Sequence, residues 1–244
     1  MALKFKTVKA KSISYGATRN LNDIEYIVIH YTSNNGDTAK NNADYFADGN
    51  IRQAGAHVFV DGGTYVYKSV PLSKVAWAVG GLYTQKNGAG KYYKKCTNTN
   101  SLSIEMCNCA KTIPTKVYNQ TVELTKYYMK KYGIPASRVI RHWDVNGKDC
   151  PSPWASKNNS GWKKFKKDIS ASTTLKPKKE SSTAFKSYKV KVTASALNIR
   201  KSASTSASKV GSYKKNMTVT IKAVKNGWGQ TSKGWICLRY TKKC

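Results

Sequence analysis

The chain has 244 residues and a formal charge of +31, from 43 basic and 12 acidic side chains. That length accommodates one large or two modest domains with a real core, and the charge selects a polyanionic partner: nucleic acid, an anionic membrane or an acidic wall polymer. No run is apolar for long enough to span a bilayer, and no helix-turn-helix, RNA-recognition or finger spacing points to specific nucleic-acid binding.

Residues 1–170 hold 26 basic and 11 acidic residues, whereas residues 188–244 hold 13 basic and none acidic. The first residues, Met1 to Lys11, lack the apolar core of a signal peptide. Synthesis in a reducing cytoplasm is therefore expected, with Cys96, Cys107, Cys109, Cys237 and Cys244 as free thiols. Cys237 is expected in a core. Cys150 is set apart from these.

In chain order, Ile24–His30 is a continuous apolar run that ends in polar Tyr31-Thr32-Ser33-Asn34. This predicts a buried central strand with His30 at its mouth, where functional groups of α/β sheets gather. Asp37-Thr38 is a helix start and Gly49 a stop. Residues 55–67 read as two short strands around an Asp-Gly turn, with His57 opening the first. Trp77 lines a groove or merely packs. Residues 80–101, rich in Gly, Asn, Thr and Lys, read as a surface excursion.

Ser101–Cys107 alternates as a strand with Glu105 inside it. A carboxylate there faces water at a sheet edge or is placed for chemistry, and pattern alone favours the edge. Helical spacing covers 117–132, and Gly133 with Pro135 ends it. Residues 137–142 form a strand that delivers His142. A basic amphipathic helix follows over 155–168, with Trp162 and Phe165 on one face.

The segment Arg141-His142-Trp143-Asp144-Val145-Asn146-Gly147-Lys148-Asp149-Cys150-Pro151 organises the rest. Imidazole and thiolate are zinc ligands, and a catalytic zinc keeps one corner open. His142 and Cys150, eight residues apart, would lie about 27 Å from each other in an extended chain. They share an ion only if the chain doubles back, which Asn146-Gly147 permits. A third ligand must come from His30 or His57, the only other histidines. The competing reading is a packed histidine beside tryptophan.

Alternating strands and helices make residues 1–170 an α/β sandwich domain. Residues 171–187 have no apolar period and read as a flexible linker. Residues 188–244 carry six short strand-like runs, which predicts a small antiparallel barrel.

Four blocks in residues 1–170, Ile27–Thr32, Gly55–Asp61, Ser103–Glu105 and Arg141–Pro151, resemble the type-2 N-acetylmuramoyl-L-alanine amidases, relatives of peptidoglycan recognition proteins found in phage endolysins and bacterial autolysins. The resemblance implies a mixed central sheet flanked by helices. It implies one zinc ion held by His30, His142 and Cys150, Glu105 as general base and Lys148 as cationic stabiliser. His57, near the metal but outside its ligand set, and Trp77 are left as substrate contacts. The chain departs from the pattern at Ala78, where many relatives have histidine, and at Ala56, where some have tyrosine. Those lacking the tyrosine commonly use a glutamate where Glu105 stands.

Residues 188–244 resemble the bacterial SH3-like wall-binding domain through Leu197-Asn198-Ile199-Arg200, Gly227-Trp228-Gly229 and Gly234–Tyr240. Together these resemblances imply a hydrolase that cuts the bond between N-acetylmuramic acid and L-alanine in peptidoglycan. Its partners are peptidoglycan and anionic wall polymers. It would be made without a signal peptide and released to the wall by a holin or by lysis, as a phage endolysin is. The rivals are a non-catalytic wall-recognition protein, whose relatives typically lose the cysteine ligand, a bacterial autolysin, and a basic nucleic-acid-binding protein.

Overall fold

The computed structural model describes residues 3–171, 187–205, 207–225 and 227–244. The chain divides into two compact units, Met1–Ser172 and Thr173–Cys244. The expected linker, 171–187, falls outside the described residues apart from its two end positions.

In the first unit, β1 (Lys4–Thr7) and β2 (Tyr15–Thr18) precede β3 (Tyr26–Tyr31) and α1 (Ala39–Asp44). Next come β4 (Val58–Val60), β5 (Tyr65–Lys68), β6 (Lys74–Ala76) and β7 (Ser101–Met106). After these follow α2 (Thr115–Tyr132), β8 (Val139–Arg141), α3 (His142–Asn146) and α4 (Ser160–Ser170). Six strands form one sheet in the order β1-β5-β4-β7-β3-β8, while β2 and β6 pair separately. Strands β4, β7, β3 and β8 run parallel to their neighbours in that row; β4 and β5 are antiparallel. The expected mixed α/β sheet is the observed one.

Strand β7 lies between β4 and β3. The edge reading of Glu105 is therefore overturned: the carboxylate sits in a central strand. Alternate residues of a strand face opposite sides. Leu102, Ile104 and Met106 join Ile27, Ile29 and Val139 in the main core, with Leu124 and Tyr128 of α2 and Phe165 and Ile169 of α4. Each fully buried Ile or Leu there contributes about 1.5–3 kcal/mol. By parity, Ser103 and Glu105 share the opposite face with Val28 and His30. On that side α1 packs with Phe59, Tyr67 and Cys107.

Local chemistry sets the helix bounds. The side chain of Thr38 accepts from the Asn41 amide, and Asn41 caps back, so α1 starts just past the Asp37-Thr38 signal. Helix α2 ends at Gly133, whose φ of 68° is the left-handed C-terminal conformation. Helix α4 starts five residues later than the periodicity suggests. The Asn159 side chain accepts from the Trp162 amide and caps it there, and residues before it, Ser152–Trp154, make a separate tight turn. Trp162 and Phe165 stack with centroids 5.3 Å apart, as their shared face required.

The second unit contains β9 (Tyr188–Val192), β10 (Ala196–Arg200), β11 (Lys209–Lys214), β12 (Thr218–Ile221), β13 (Ala223–Lys225), β14 (Trp228–Thr231), β15 (Gly234–Cys237) and β16 (Thr241–Lys243). They form a five-stranded sheet, β11-β10-β15-β14-β13, and a three-stranded one, β12-β9-β16. The pairings within both are antiparallel. Val190, Val192, Leu197, Ile199, Tyr213, Val219, Ile221 and Ile236 make its core. Residues 218–225 form two strands in different sheets, because the chain changes partner at Lys222, whose amide donates to the Gln230 carbonyl of β14. Strand β16, polar throughout, gave no apolar signal. Cys237 is only half-buried, and the described cysteines form no disulfide.

Candidate metal centre and hydrolytic site

His30 is the fifth residue of β3, next to Glu105 of β7 in parallel register. On the other side of β3, strand β8 runs into α3 at His142. Three neighbouring strands thus deliver an imidazole, a carboxylate and a second imidazole to one end of the sheet. Cys150 comes from the chain reversal the sequence required. Gly147 closes α3 at φ 85°, the Asn146 Oδ1 accepts from the Lys148 amide at 3.1 Å, and the Trp143 amide donates to the Cys150 carbonyl at 2.9 Å.

The result is compact. One donor atom from each of His30, His142 and Cys150 lies within 4.8 Å of the others, and all three residues are buried. Cys150 Sγ is 3.7 Å from His30 Nδ1, and the two imidazoles meet edge to face at 4.8 Å between centroids. His30 Nδ1 is 4.0 Å from Glu105 Oε1, whose side chain is 19% exposed.

His30 Nε2, both ring nitrogens of His142 and Glu105 Oε2 are buried without a hydrogen-bond partner. An unsatisfied buried polar atom costs about 1–3 kcal/mol. Three such nitrogens in one place mark a site built for something other than a protein donor. Two neutral imidazoles and one thiol are the donor set that zinc takes, so the residues present fit that ion.

The electrostatics agree. Burial, then His142, Lys148 and His57, hold His30 well below the ordinary imidazole range. Burial and Lys148 bring His142 down to about 4; the Gly80 carbonyl partly offsets this from outside hydrogen-bond geometry. Both rings are neutral at pH 7 and free to donate lone pairs. Burial and the Glu105 charge push the Cys150 thiol up to about 12, so metal binding there must displace a proton. Burial raises Glu105 to about 7, against the pull of the Lys148 ammonium and with Asp37 adding to the rise.

Glu105 and Lys148 line a cleft of about 540 Å³ together with Tyr31, Asn34, Asp37, Tyr45 and Arg52. His57 is 1% exposed and turned away from it, into a network the sequence did not signal. Its Nδ1 meets Ser103 Oγ at 2.9 Å, and its Nε2 meets Arg19 Nη2 at 2.8 Å. Nε2 also lies 3.1 Å from the Lys74 carbonyl, and the Ser103 amide donates to Nδ1 at 3.1 Å; burial, then Arg19, bring the pKa to about 3, so the ring is neutral. Arg19 also donates to the carbonyls of Leu72, Asn98, Thr99 and Ser101. Trp77 is half-buried and lies over Gly16, where a Cβ would come within 2.6 Å of its ring.

Sequence reasoning missed two supports of the metal-ligand segment. Arg141, buried, forks onto Asp144 at 2.9 and 2.7 Å and fixes the start of α3. The excursion 80–101 is a scaffold: the amides of Thr84, Gly90 and Tyr92 donate to the carbonyls of Asn146, Trp143 and Asp144. The Arg141–Asp144 spacing is readable as i,i+3, but a loop that braces another loop leaves no periodic trace.

Gly147 is where these supports meet. A Cβ there would lie 2.0 Å from the Thr84 carbonyl oxygen, and φ is left-handed. Gly147→Ala is expected to destabilise the unit by about 2 kcal/mol or more. Denaturant unfolding measures this; an unchanged midpoint would show that the reversal tolerates a side chain.

The comparisons with known proteins converge on one family. The N-acetylmuramoyl-L-alanine amidase family model matches residues 20–153, which include all seven of the residues singled out by sequence. The amidase CwlL of Bacillus licheniformis is 31% identical over 151 residues, 60% of this chain and 41% of its own length. BlyA of Bacillus subtilis is 32% identical over 160 residues, 62% of this chain and 42% of its own. The chain thus spans well under half the length of these relatives. Among solved structures, PlyL superposes with a TM-score of 0.56 at 24% identity, covering 70% of this chain and 98% of that one. The catalytic domain of XlyA gives 0.54 at 23% identity over 68% of this chain and 99% of its own. These likenesses show a shared fold. With the family model covering more than half its residues, the chain belongs to the N-acetylmuramoyl-L-alanine amidase family, type 2.

Proposed function

We propose that the chain is a zinc-dependent peptidoglycan hydrolase of the phage endolysin type, cutting the amide between N-acetylmuramic acid and the L-alanine of the stem peptide. The observation that carries this is the meeting of His30, His142 and Cys150 within 4.8 Å beside a carboxylate and an ammonium. Those three side chains would hold zinc, which when bound supplies Lewis acidity for a carbonyl oxygen and for water.

The chain's own groups do the rest. Glu105, with a pKa of about 7, is poised to take a proton from an attacking water and return it to the departing amine. Lys148 in the same cleft offsets the charge that develops on the carbonyl oxygen. Arg141 and Asp144 keep His142 in place while the bond is broken. His57, held by Ser103 and Arg19, would act by supporting β7 beneath Glu105 rather than by touching substrate.

Digestion of purified sacculi, with and without a chelator, tests the reaction. Free stem peptides beginning with L-alanine, alongside intact glycan and only without chelator, are expected. Cut glycan or cleaved cross-bridges would overturn the assignment.

The second unit is proposed to be an SH3-like module that keeps the enzyme on the wall, raising its local concentration. Deleting residues 171–244 is then expected to slow lysis of whole cells severalfold while leaving cleavage of soluble muropeptides unchanged. Equal losses on both substrates would count against a targeting role. No helix among the described residues is long and apolar enough to cross a membrane.

A further inference from the structure

In the three-stranded sheet of the second unit, Val190 and Val192 of β9 are buried, so Lys189 and Lys191 face outward and are exposed. Thr220 stands directly across from Lys189, and Thr218 across from Lys191. On the other side, Lys242 of β16 is in register with Lys191. The outward face is therefore lysine and threonine across all three strands.

This arrangement works against the fold. Like charges directly opposite in an antiparallel pair are destabilising, and residues 188–244 contain 13 basic side chains with no acidic residue to neutralise them. None of Lys189, Lys191 and Lys242 has an ion-pair partner among the described residues. The other sheet is more mixed: Lys214 and Arg200 share its outward face with Asn198, Ser212, Gln230 and half-exposed Trp235.

We propose that the β12-β9-β16 face is a docking surface for a linear polyol-phosphate polymer of the cell wall, with Lys189, Lys191 and Lys242 taking successive phosphates and Thr218 and Thr220 donating to the phosphate or polyol oxygens. Lys189 and Lys191 are about 6.8 Å apart along the strand, a spacing of the same order as that between phosphates joined through a short polyol. The paired outward positions of these strands, Lys189, Lys191, Thr218, Thr220 and Lys242, include no aromatic side chain on which bases stack and no apolar one to enter a bilayer. That favours a flexible phosphodiester chain over nucleic acid or membrane. The inference rests on the wall-acting reading above and names the polymer and face that hold the enzyme there.

The test uses the full chain carrying Lys189→Gln, Lys191→Gln and Lys242→Gln, co-sedimented over a range of salt with sacculi that retain or have been stripped of their phosphate polymers. The triple variant is expected to bind polymer-bearing sacculi about tenfold more weakly. Its log–log salt slope should be shallower by about two, from three phosphate contacts at about 0.7 each. On stripped sacculi the two proteins should bind alike. A matched variant, Lys209→Gln, Lys214→Gln and Lys215→Gln, removes the same charge from elsewhere and should lose much less. Equal losses in the two variants, no effect of stripping, or tighter capture by duplex DNA or anionic vesicles would overturn the proposal. Cleavage of soluble muropeptides by the same preparations reads the amidase reaction separately, so failure of the docking face and failure of the proposed activity are told apart.

Discussion

Cys150→Ser is expected to leave the protein folded but without zinc and without activity. A serine hydroxyl does not ionise in a site where burial already pushes a thiol up to about 12, so the anionic ligand disappears while both imidazoles stay. Loss of a group that only supports a ligand typically costs 10–100-fold in affinity, so loss of the ligand itself should cost about 100-fold or more. Metal analysis after dialysis should return close to one equivalent for the unaltered chain and far less for the variant. Zinc stabilises whatever state binds it. A chelator should therefore lower the melting temperature of the unaltered chain and leave that of the variant in place. A variant that retains a full equivalent of zinc would remove Cys150 from the ligand set.

Glu105→Gln is expected to do the opposite: zinc retained, turnover lost. Glutamine keeps the size and the hydrogen-bonding reach of the carboxylate but cannot take a proton. A positioned general base is worth about 10²–10⁴-fold in rate, and the loss should fall on kcat, with KM little altered. The separation matters because Glu105 Oε1 is only 4.0 Å from His30 Nδ1. If Glu105 were instead a metal ligand, the variant would lose zinc and regain activity in excess metal. That outcome would reassign the residue.

Several of these roles were visible in the linear chain because they rest on local physics. The run Ile27-Val28-Ile29 can only be a buried strand, and a strand that stops at His30 places it at the sheet's end. Between His142 and Cys150, Asn146-Gly147 allows the reversal that brings thiol and imidazole together. Gly133 and the Thr38 cap set helix bounds, and the absence of acidic residues after Tyr188 marks the second unit as a cation.

What the chain alone left open was whatever depends on which strands are neighbours. Glu105 looked like an edge residue because alternation reports which face a side chain takes and says nothing about strand order. Between β4 and β3 it is instead walled in, and burial raises its pKa to about 7. Composition left His57 in competition with the better-placed His30 for the third ligand. Parallel pairing of β3 with both β7 and β8 turned one toward His142, and Arg19, 38 positions from His57, captured the other. The bracing excursion and polar β16 were silent for the same reason. Periodicity and turn chemistry act over a few residues, so sequence determines elements, caps and the supply of reactive groups. Convergence of side chains 120 positions apart, such as His30 and Cys150, is decided by strand order and by the hydrogen bonds that hold one loop against another.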